Sequence, residues 1–114
     1  MRNKLKLVVN NRVIKKEKFF VKKELKSILN LYAKKVSEGD WKDYGLSINK
    51  KEISFDIYQR ASEKPIYRIS KNLSPKRQDE RFYILDRNGH IVKKSDELET
   101  LIKRVEWTRL KLIK

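Results

Sequence analysis

The sequence predicts one α+β domain: an antiparallel meander of four or five strands, flanked by an N-terminal and a C-terminal helix. Residues 25–36 and 98–105 carry apolar side chains at the i, i+3, i+4 spacing of helices that face a core. Residues 44–93 instead alternate apolar and polar side chains, as half-buried strands do. Their short turns favour pairing between neighbouring strands. A chain of 114 residues can bury one core of this kind.

Before the first helix, residues 1–18 are expected to form a basic arm or a short edge hairpin, and the single domain to occupy residues 19–114. Weak alternation on both sides of the turn signal Asn10-Asn11 fits either a short edge hairpin or an arm that becomes ordered on binding. The helix that follows is expected to end just before Gly39, a natural C′ residue because glycine suits the left-handed conformation after a helix. Its start lacks a capping side chain, because Val21 and Lys22 stand there. The apolar stripe of this helix consists of Leu25, Ile28, Leu29, Tyr32, Ala33 and Val36.

Five strands are predicted near residues 44–49, 52–60, 65–71, 81–86 and 90–93. In the second strand, Ile53, Phe55 and Ile57 are expected to face the core. The dipeptide Asn88-Gly89 predicts a type I′ hairpin turn, which requires positive φ angles.

The second helix is expected to start at Ser95 or Asp96, with Asp96 and Glu99 in the spacing of a capping box. Its apolar stripe comprises Leu98, Leu101, Ile102 and Val105. Beyond Val105 the apolar positions drift to Trp107, Leu110 and Ile113, which would bend the tail or meet a partner.

Composition narrows the possible functions. The chain has no cysteine and one histidine, His90, which excludes disulfides, thiolate metal sites and multi-histidine centres. Because the sequence shows no Gly-rich phosphate loop and no suitably spaced carboxylate pair, we expect neither catalysis nor a cofactor. The apolar runs are too short to cross a bilayer, and residues 1–20 lack the apolar stretch of a secretory signal. We therefore expect a cytoplasmic protein without a membrane or metal partner.

The formal net charge of +15 favours binding to RNA or DNA through backbone phosphates. Codons rich in A and T would also enrich lysine, and solvated lysines keep a domain soluble, so a purely compositional origin stays open. About half of the excess charge lies in residues 1–26. The basic residues chosen as candidates there are Lys15, Lys16, Lys18, Lys22, Lys23 and Lys26.

The hairpin between the second and third strands is the strongest candidate for a site. Arg60 precedes its turn and Arg68 follows it, with Glu63 between them. Alternation predicts that Tyr67 faces the core and that both arginines face outward, where they would share Glu63 or a bound anion. A plain turn held by an Arg–Glu ion pair explains the same residues.

Two aromatic residues complete the candidate binding set. Tyr58 is expected on the outer face beside Arg60. Trp41 would either stack a nucleobase or grip a partner, or else pack in the corner between helix and sheet.

Two functions follow as hypotheses. One is a small, basic, non-catalytic protein that contacts RNA or DNA through phosphates. The alternative is a protein–protein adaptor or regulator that recognises an acidic partner through the Arg60–Arg68 hairpin and the C-terminal helix. The oligomeric state is open.

The order of several motifs resembles a small alphaproteobacterial family, domain-of-unknown-function family twenty-seven ninety-four, over roughly residues 19–105. Its most specific part here is Arg60-Ala61-Ser62-Glu63, then Pro65, then Tyr67-Arg68. The resemblance implies no activity, since members have no assigned one. This chain departs from similar members in having Val21 where they tend to have a capping Asp, and in its lysine-rich first eighteen residues.

Overall fold

The computed structural model describes residues 18–60 and 64–107. Five strands form one antiparallel sheet in the order β1-β2-β3-β4-β5, so every strand pairs with its neighbours in sequence. The predicted α+β class, the meander and the two flanking helices are confirmed. The elements are α1 Lys22–Ser37, β1 Asp43–Ile48, β2 Glu52–Tyr58, β3 Tyr67–Asn72, a 3₁₀ turn Gln78–Glu80, β4 Phe82–Asp86, β5 Ile91–Ser95 and α2 Leu98–Arg104.

One face of the sheet, the inner face, packs against both helices and contains the core. Its central residues, Ile53, Phe55 and Ile57 of β2, are at most 1% exposed, as their alternation predicts. The cross-strand register continues this row through Ile69 of β3 to Ile84 of β4. The helices complete the core with the buried side chains Ile28, Leu98 and Leu101, and the buried Val105 follows directly after α2.

Helix α1 begins where the sequence offers no capping side chain of the usual kind. The Val21 N–H donates instead to Glu24 Oε1 at 2.9 Å, so a carboxylate from the first turn satisfies the backbone group before the helix. The helix ends at Ser37, and Gly39 stands at the predicted C′ position, where its φ of +83° suits glycine because it has no Cβ to clash.

The β4–β5 connection is a hairpin, as expected, but its loop has three residues and is not the two-residue type I′ form. The Gly89 N–H donates to the Asp86 carbonyl at 3.0 Å, and the Asp86 N–H donates to the His90 carbonyl at 2.9 Å. Gly89 has a φ of +84°, as in a turn followed by a glycine bulge. Asp86 Oδ1 also accepts from the Asn88 and His90 N–H groups, which stabilises the longer loop.

Most element boundaries differ from the sequence prediction by one or two residues, and two of these differences change the placement of named residues. Strand β2 ends at Tyr58, so Arg60 lies in the bend that follows and not in the sheet. Helix α2 starts at Leu98, later than a cap at Ser95 or Asp96 would give. Ser95 Oγ accepts from the Glu97 N–H at 3.2 Å, so this side chain holds the turn before the helix.

Candidate functional site

The outer face of the sheet, opposite the helices, carries a row of polar side chains. Because successive side chains of a strand point to opposite faces, Glu52, Ser54, Asp56 and Tyr58 of β2 share this face. Ser54 and Asp56 are nevertheless only 6% and 3% exposed. Their contacts with neighbouring strands account for this burial.

Asp56 is the centre of a hydrogen-bonded network. Its two carboxylate oxygens accept from Ser47 Oγ of β1 at 2.5 Å and from Ser54 Oγ at 2.6 Å. The guanidinium of Arg68, directly opposite on β3, places its Nε 3.8 Å from Oδ1. A buried carboxylate is costly unless donors and a cation compensate it. Asp56 therefore joins three strands through contacts that stabilise the sheet.

A second polar contact lies nearer the β1–β2 turn. Tyr83 Oη of β4 donates to Glu52 Oε1 of β2, two strands away. Desolvation, followed by the hydrogen bond and charge of Glu52, raises the pKa of Tyr83 to about 12. Deprotonation would place two negative charges in contact, so Tyr83 remains a neutral donor at physiological pH.

The hairpin residues chosen from sequence are only partly brought together. Arg68 lies on the outer face of β3 with its side chain 46% exposed, and its carboxylate partner is Asp56. Arg60 is exposed in the bend after β2, beyond the sheet. Glu63 lies outside the described residues, so the predicted sharing of its carboxylate stays a prediction. Tyr58 ends β2, half-buried, opposite Asp43.

Two of the aromatic candidates belong to the core. Trp41 is 1% and Tyr67 7% exposed. The ring of Trp107 packs edge-on against both, with centroids 5.5 Å from Trp41 and 4.9 Å from Tyr67. Trp41 thus packs in the corner between helix and sheet, and a nucleobase cannot stack on it in this conformation. Leu110 and Ile113, the other residues of the apolar drift, lie outside the described residues.

The charged side chains that helix α1 exposes to solvent are all basic. Its exposed lysines are Lys22, Lys23, Lys26 and Lys34. Lys18, just before the helix, is also exposed, whereas Lys15 and Lys16 of the arm lie outside the described residues.

The remaining charged groups of α1 are turned inward. Glu24, the one acidic residue of the helix, accepts from Lys71 Nζ at 2.8 Å. Lys35 is buried and lies 3.6 Å from Glu38 and 3.9 Å from Asp40. The inward carboxylate leaves the exposed lysines of the helix without an acidic neighbour on the same helix face.

Among residues 18–60 and 64–107, no three His, Cys, Asp or Glu side chains cluster closely enough to hold a metal ion. Neither described helix has the length and apolar character needed to span a bilayer.

Sequence reasoning missed the two ionic contacts that join distant segments. The signal for Asp56 was present in the outward parity of Glu52, Ser54 and Asp56, an unusually polar row for a central strand. Lys71 shares the inward parity of Tyr67 and Ile69, but a lysine in a strand is usually exposed.

Comparison with curated proteins and with solved structures finds no match. A family model described as a protein of unknown function, DUF2794, matches residues 18–102. This segment contains α1, all five strands and most of α2. Since the match covers most of the chain, the protein belongs to the DUF2794 family.

Proposed function

We propose that this protein binds the phosphate backbone of RNA or DNA, without catalysing a reaction, through the basic face of helix α1. The observation that carries the proposal is the separation of charge on this helix. Glu24 points inward to Lys71, while Lys22, Lys23, Lys26 and Lys34 point to solvent. A face with one sign of charge attracts a polyanion and releases its counterions.

The dimensions of the face suit such a ligand. From Lys22 to Lys34 the helix rises about 18 Å, at about 1.5 Å per residue. One strand of a duplex presents a phosphate about every 3.4 Å along the axis, so the face spans roughly five phosphates. The basic residues of the arm precede this helix in sequence and would add to the same contact. Contacts with phosphates carry no sequence preference. We propose the cytoplasm as the compartment in which the protein meets this ligand.

The experiment is a titration of labelled RNA and DNA at several salt concentrations. Replacement of Lys22, Lys26 and Lys34 by Gln should weaken binding and make the slope of log affinity against log salt shallower by about 3 for duplex DNA. The matched control replaces Lys76, Lys93 and Lys94, which are also exposed but lie in a loop and on β5. If both triple variants lose the same affinity, binding depends on net charge alone and the α1 face is rejected as the binding surface. Absence of binding at low salt would reject the function.

The adaptor function is the competing proposal. In its favour, Arg68 is nearly half exposed on the sheet face opposite the two described helices. Against it, the guanidinium already pairs with Asp56. Affinity purification with mass spectrometry separates the two functions. A specific acidic protein that is recovered by the wild type and lost with both Arg60→Ala and Arg68→Ala, while nucleic-acid binding is unchanged, would favour the adaptor.

A further inference from the structure

The two edges of the sheet differ in how they are protected against pairing with another strand. At the β5 edge, Lys93 and Lys94 are exposed, and the register with β4 shifts between Ile84 and Leu85. Lysines and bulges are the usual devices that block an edge. Strand β1 forms the opposite edge, and within Asp43–Ile48 it contains no lysine and no proline. Its ladder with β2 is regular over all six residues.

The inward side chains of β1 are apolar and largely uncovered. Tyr44 and Leu46 are each 46% exposed, and Ile48 is 62% exposed. They continue the core row, because Leu46 lies opposite Phe55 and Ile48 opposite Ile53. Tyr44 stacks on Phe55 with ring centroids 4.7 Å apart. The hydrophobic layer of the sheet therefore continues to the edge without a covering element among the described residues.

Helix α1 extends this apolar surface. Tyr32 contacts the Tyr44 ring, with centroids 5.1 Å apart. Leu29 and Val36 lie three residues before and four residues after Tyr32, on the same side of the helix, and each is 40% exposed. The β1 edge surface, as we call it, consists of Leu29, Val36, Tyr44, Leu46 and Ile48. Contiguous apolar surface beside an unprotected strand edge is typical of an interface.

The backbone of β1 directs a row of hydrogen-bonding groups to the open edge, and of these the Tyr44 N–H already donates to Asp43 Oδ1 at 2.8 Å. The Asn49 N–H donates to the Glu52 carbonyl, which extends the ladder past Ile48. In an antiparallel pair, alternate residues direct their N–H and C=O groups to the same neighbour. Asn49 and the odd-numbered residues before it therefore bond to β2, and Tyr44, Leu46 and Ile48 direct their groups to the open edge.

We infer that the β1 edge surface is the contact of a symmetric homodimer, in which β1 pairs antiparallel with β1 of a second copy. The segment around β1 is complementary to itself in charge. When Leu46 lies opposite Ile48 of the second copy, Asp43 lies next to the C-terminal end of the second copy's β1, where the β1–β2 turn carries Lys50 and Lys51. The contact is isologous, so this attraction between a carboxylate and a basic turn occurs twice.

The dimer joins the two sheets into one of ten strands. The β1 edge of each copy then pairs with that of the other, and the β1 edge surfaces of the two copies cover one another. Both copies are strongly basic, so their repulsion opposes association and is relieved by salt. Dimerisation should therefore strengthen as salt rises. Binding to nucleic acid should weaken over the same range, which keeps the two properties experimentally separate.

The test is sedimentation equilibrium on the full chain, from low micromolar to high micromolar concentration and at several salt concentrations. The wild type should form a dimer that tightens with salt. Leu46→Lys should abolish the dimer, because it places two lysines near the two-fold axis. Ile91→Lys is the matched control on the other edge strand, where the side chain is 60% exposed, and should leave the dimer intact.

The register has its own test. Asp43→Lys should weaken the dimer, and adding Lys51→Asp should restore it, because the double variant exchanges a negative charge on β1 for one in the turn that faces it in the second copy. A protein that stays monomeric at every concentration and salt would overturn the inference. Equal effects of Leu46→Lys and Ile91→Lys would also overturn it. If the protein is monomeric and its β1 amides are nevertheless protected from hydrogen exchange, the inference is also overturned, and the chain's own N-terminal segment becomes the expected partner of β1.

Discussion

Lys71 Nζ and Glu24 Oε1 lie 2.8 Å apart across 47 residues of sequence, and the lysine side chain is 1% exposed. The same ammonium donates to the Phe19 carbonyl at 3.1 Å and lies 5.9 Å from the Phe82 ring centroid. The same Glu24 oxygen accepts from the Val21 N–H. One ion pair thus joins the start of helix α1 to the C-terminal end of strand β3.

Lys71→Met should lower the free energy of unfolding by about 3 kcal/mol, because it leaves the Glu24 carboxylate without its buried cation. Chemical denaturation measures this value. Combining the change with Glu24→Gln should cost less than the sum of the single variants, since the two groups act on one another. Lys103→Met is the control: that lysine is 75% exposed and pairs with Glu99 on the surface. A loss at Lys71 no larger than at Lys103 would contradict the structural role of the pair.

Asp56 and Arg68 should differ in their contributions although they form one ion pair. Asp56→Ala removes the acceptor of two serine hydroxyls and is expected to cost about 2–3 kcal/mol. Arg68→Ala should cost at most about 1 kcal/mol, because its side chain is 46% exposed and solvent screens its charge. Thermal and chemical unfolding of the two variants give the comparison. The network description is wrong if Arg68→Ala is the more damaging change.

Because the pKa of Tyr83 is raised in the folded state, we expect the protein to lose stability at alkaline pH. Its pKa rises from 10.0 to about 12, chiefly through desolvation and then through Glu52. In this window the folded state keeps a proton that the unfolded state has released, so stability is complete below pH 10 and falls as pH rises towards 12. Other groups titrate there too, and the measurement is therefore the difference between wild type and Tyr83→Phe.

Ultraviolet absorbance of the phenolate provides a direct reading of the same group. One tyrosine should titrate near pH 12 in the wild type and be absent from Tyr83→Phe. Identical alkaline unfolding curves for the two proteins would show that the Glu52 contact does not hold the proton.

The glycines offer a matched pair of substitutions. Gly39→Ala should destabilise the protein by about 1 kcal/mol, because a φ of +83° is unfavourable for a residue with a Cβ even where space is available. Gly45→Ala places its Cβ in ordinary contact, 3.7 Å from Tyr58 Cε1, and should be neutral or slightly stabilising in a strand. Denaturation curves should separate the two, and equal effects would argue against the capping role of Gly39.

The elements could be predicted from sequence because large apolar residues mark their periods. Ile53, Phe55 and Ile57 identify β2 and its inward face without any knowledge of its neighbours. The network at Asp56 could not be predicted in the same way. It depends on the cross-strand register that places Arg68 opposite Asp56, and the sequence of the intervening turn does not specify this register.

The partners of the charged side chains could not be identified from sequence spacing. Glu24 was recognisable as a first-turn acid, and Lys71 as a strand residue of inward parity, yet their pairing needs the three-dimensional approach of helix and sheet. Arg60 and Arg68 look symmetric around their turn, but strand β2 ends at Tyr58 and only Arg68 lies in the sheet. Two residues at similar distances from a turn in sequence therefore need not lie in the same kind of secondary structure.

The sequential strand order has a kinetic consequence. Each strand pairs with the one made just before it, so during synthesis the sheet can grow hairpin by hairpin from β1 as the chain emerges. The Glu24–Lys71 contact closes a loop of 47 residues and has to wait for β3. Mutations at this pair should therefore accelerate unfolding more than they slow folding. Changes at the Asn49 turn, which joins β1 to β2, should act mainly on the folding rate.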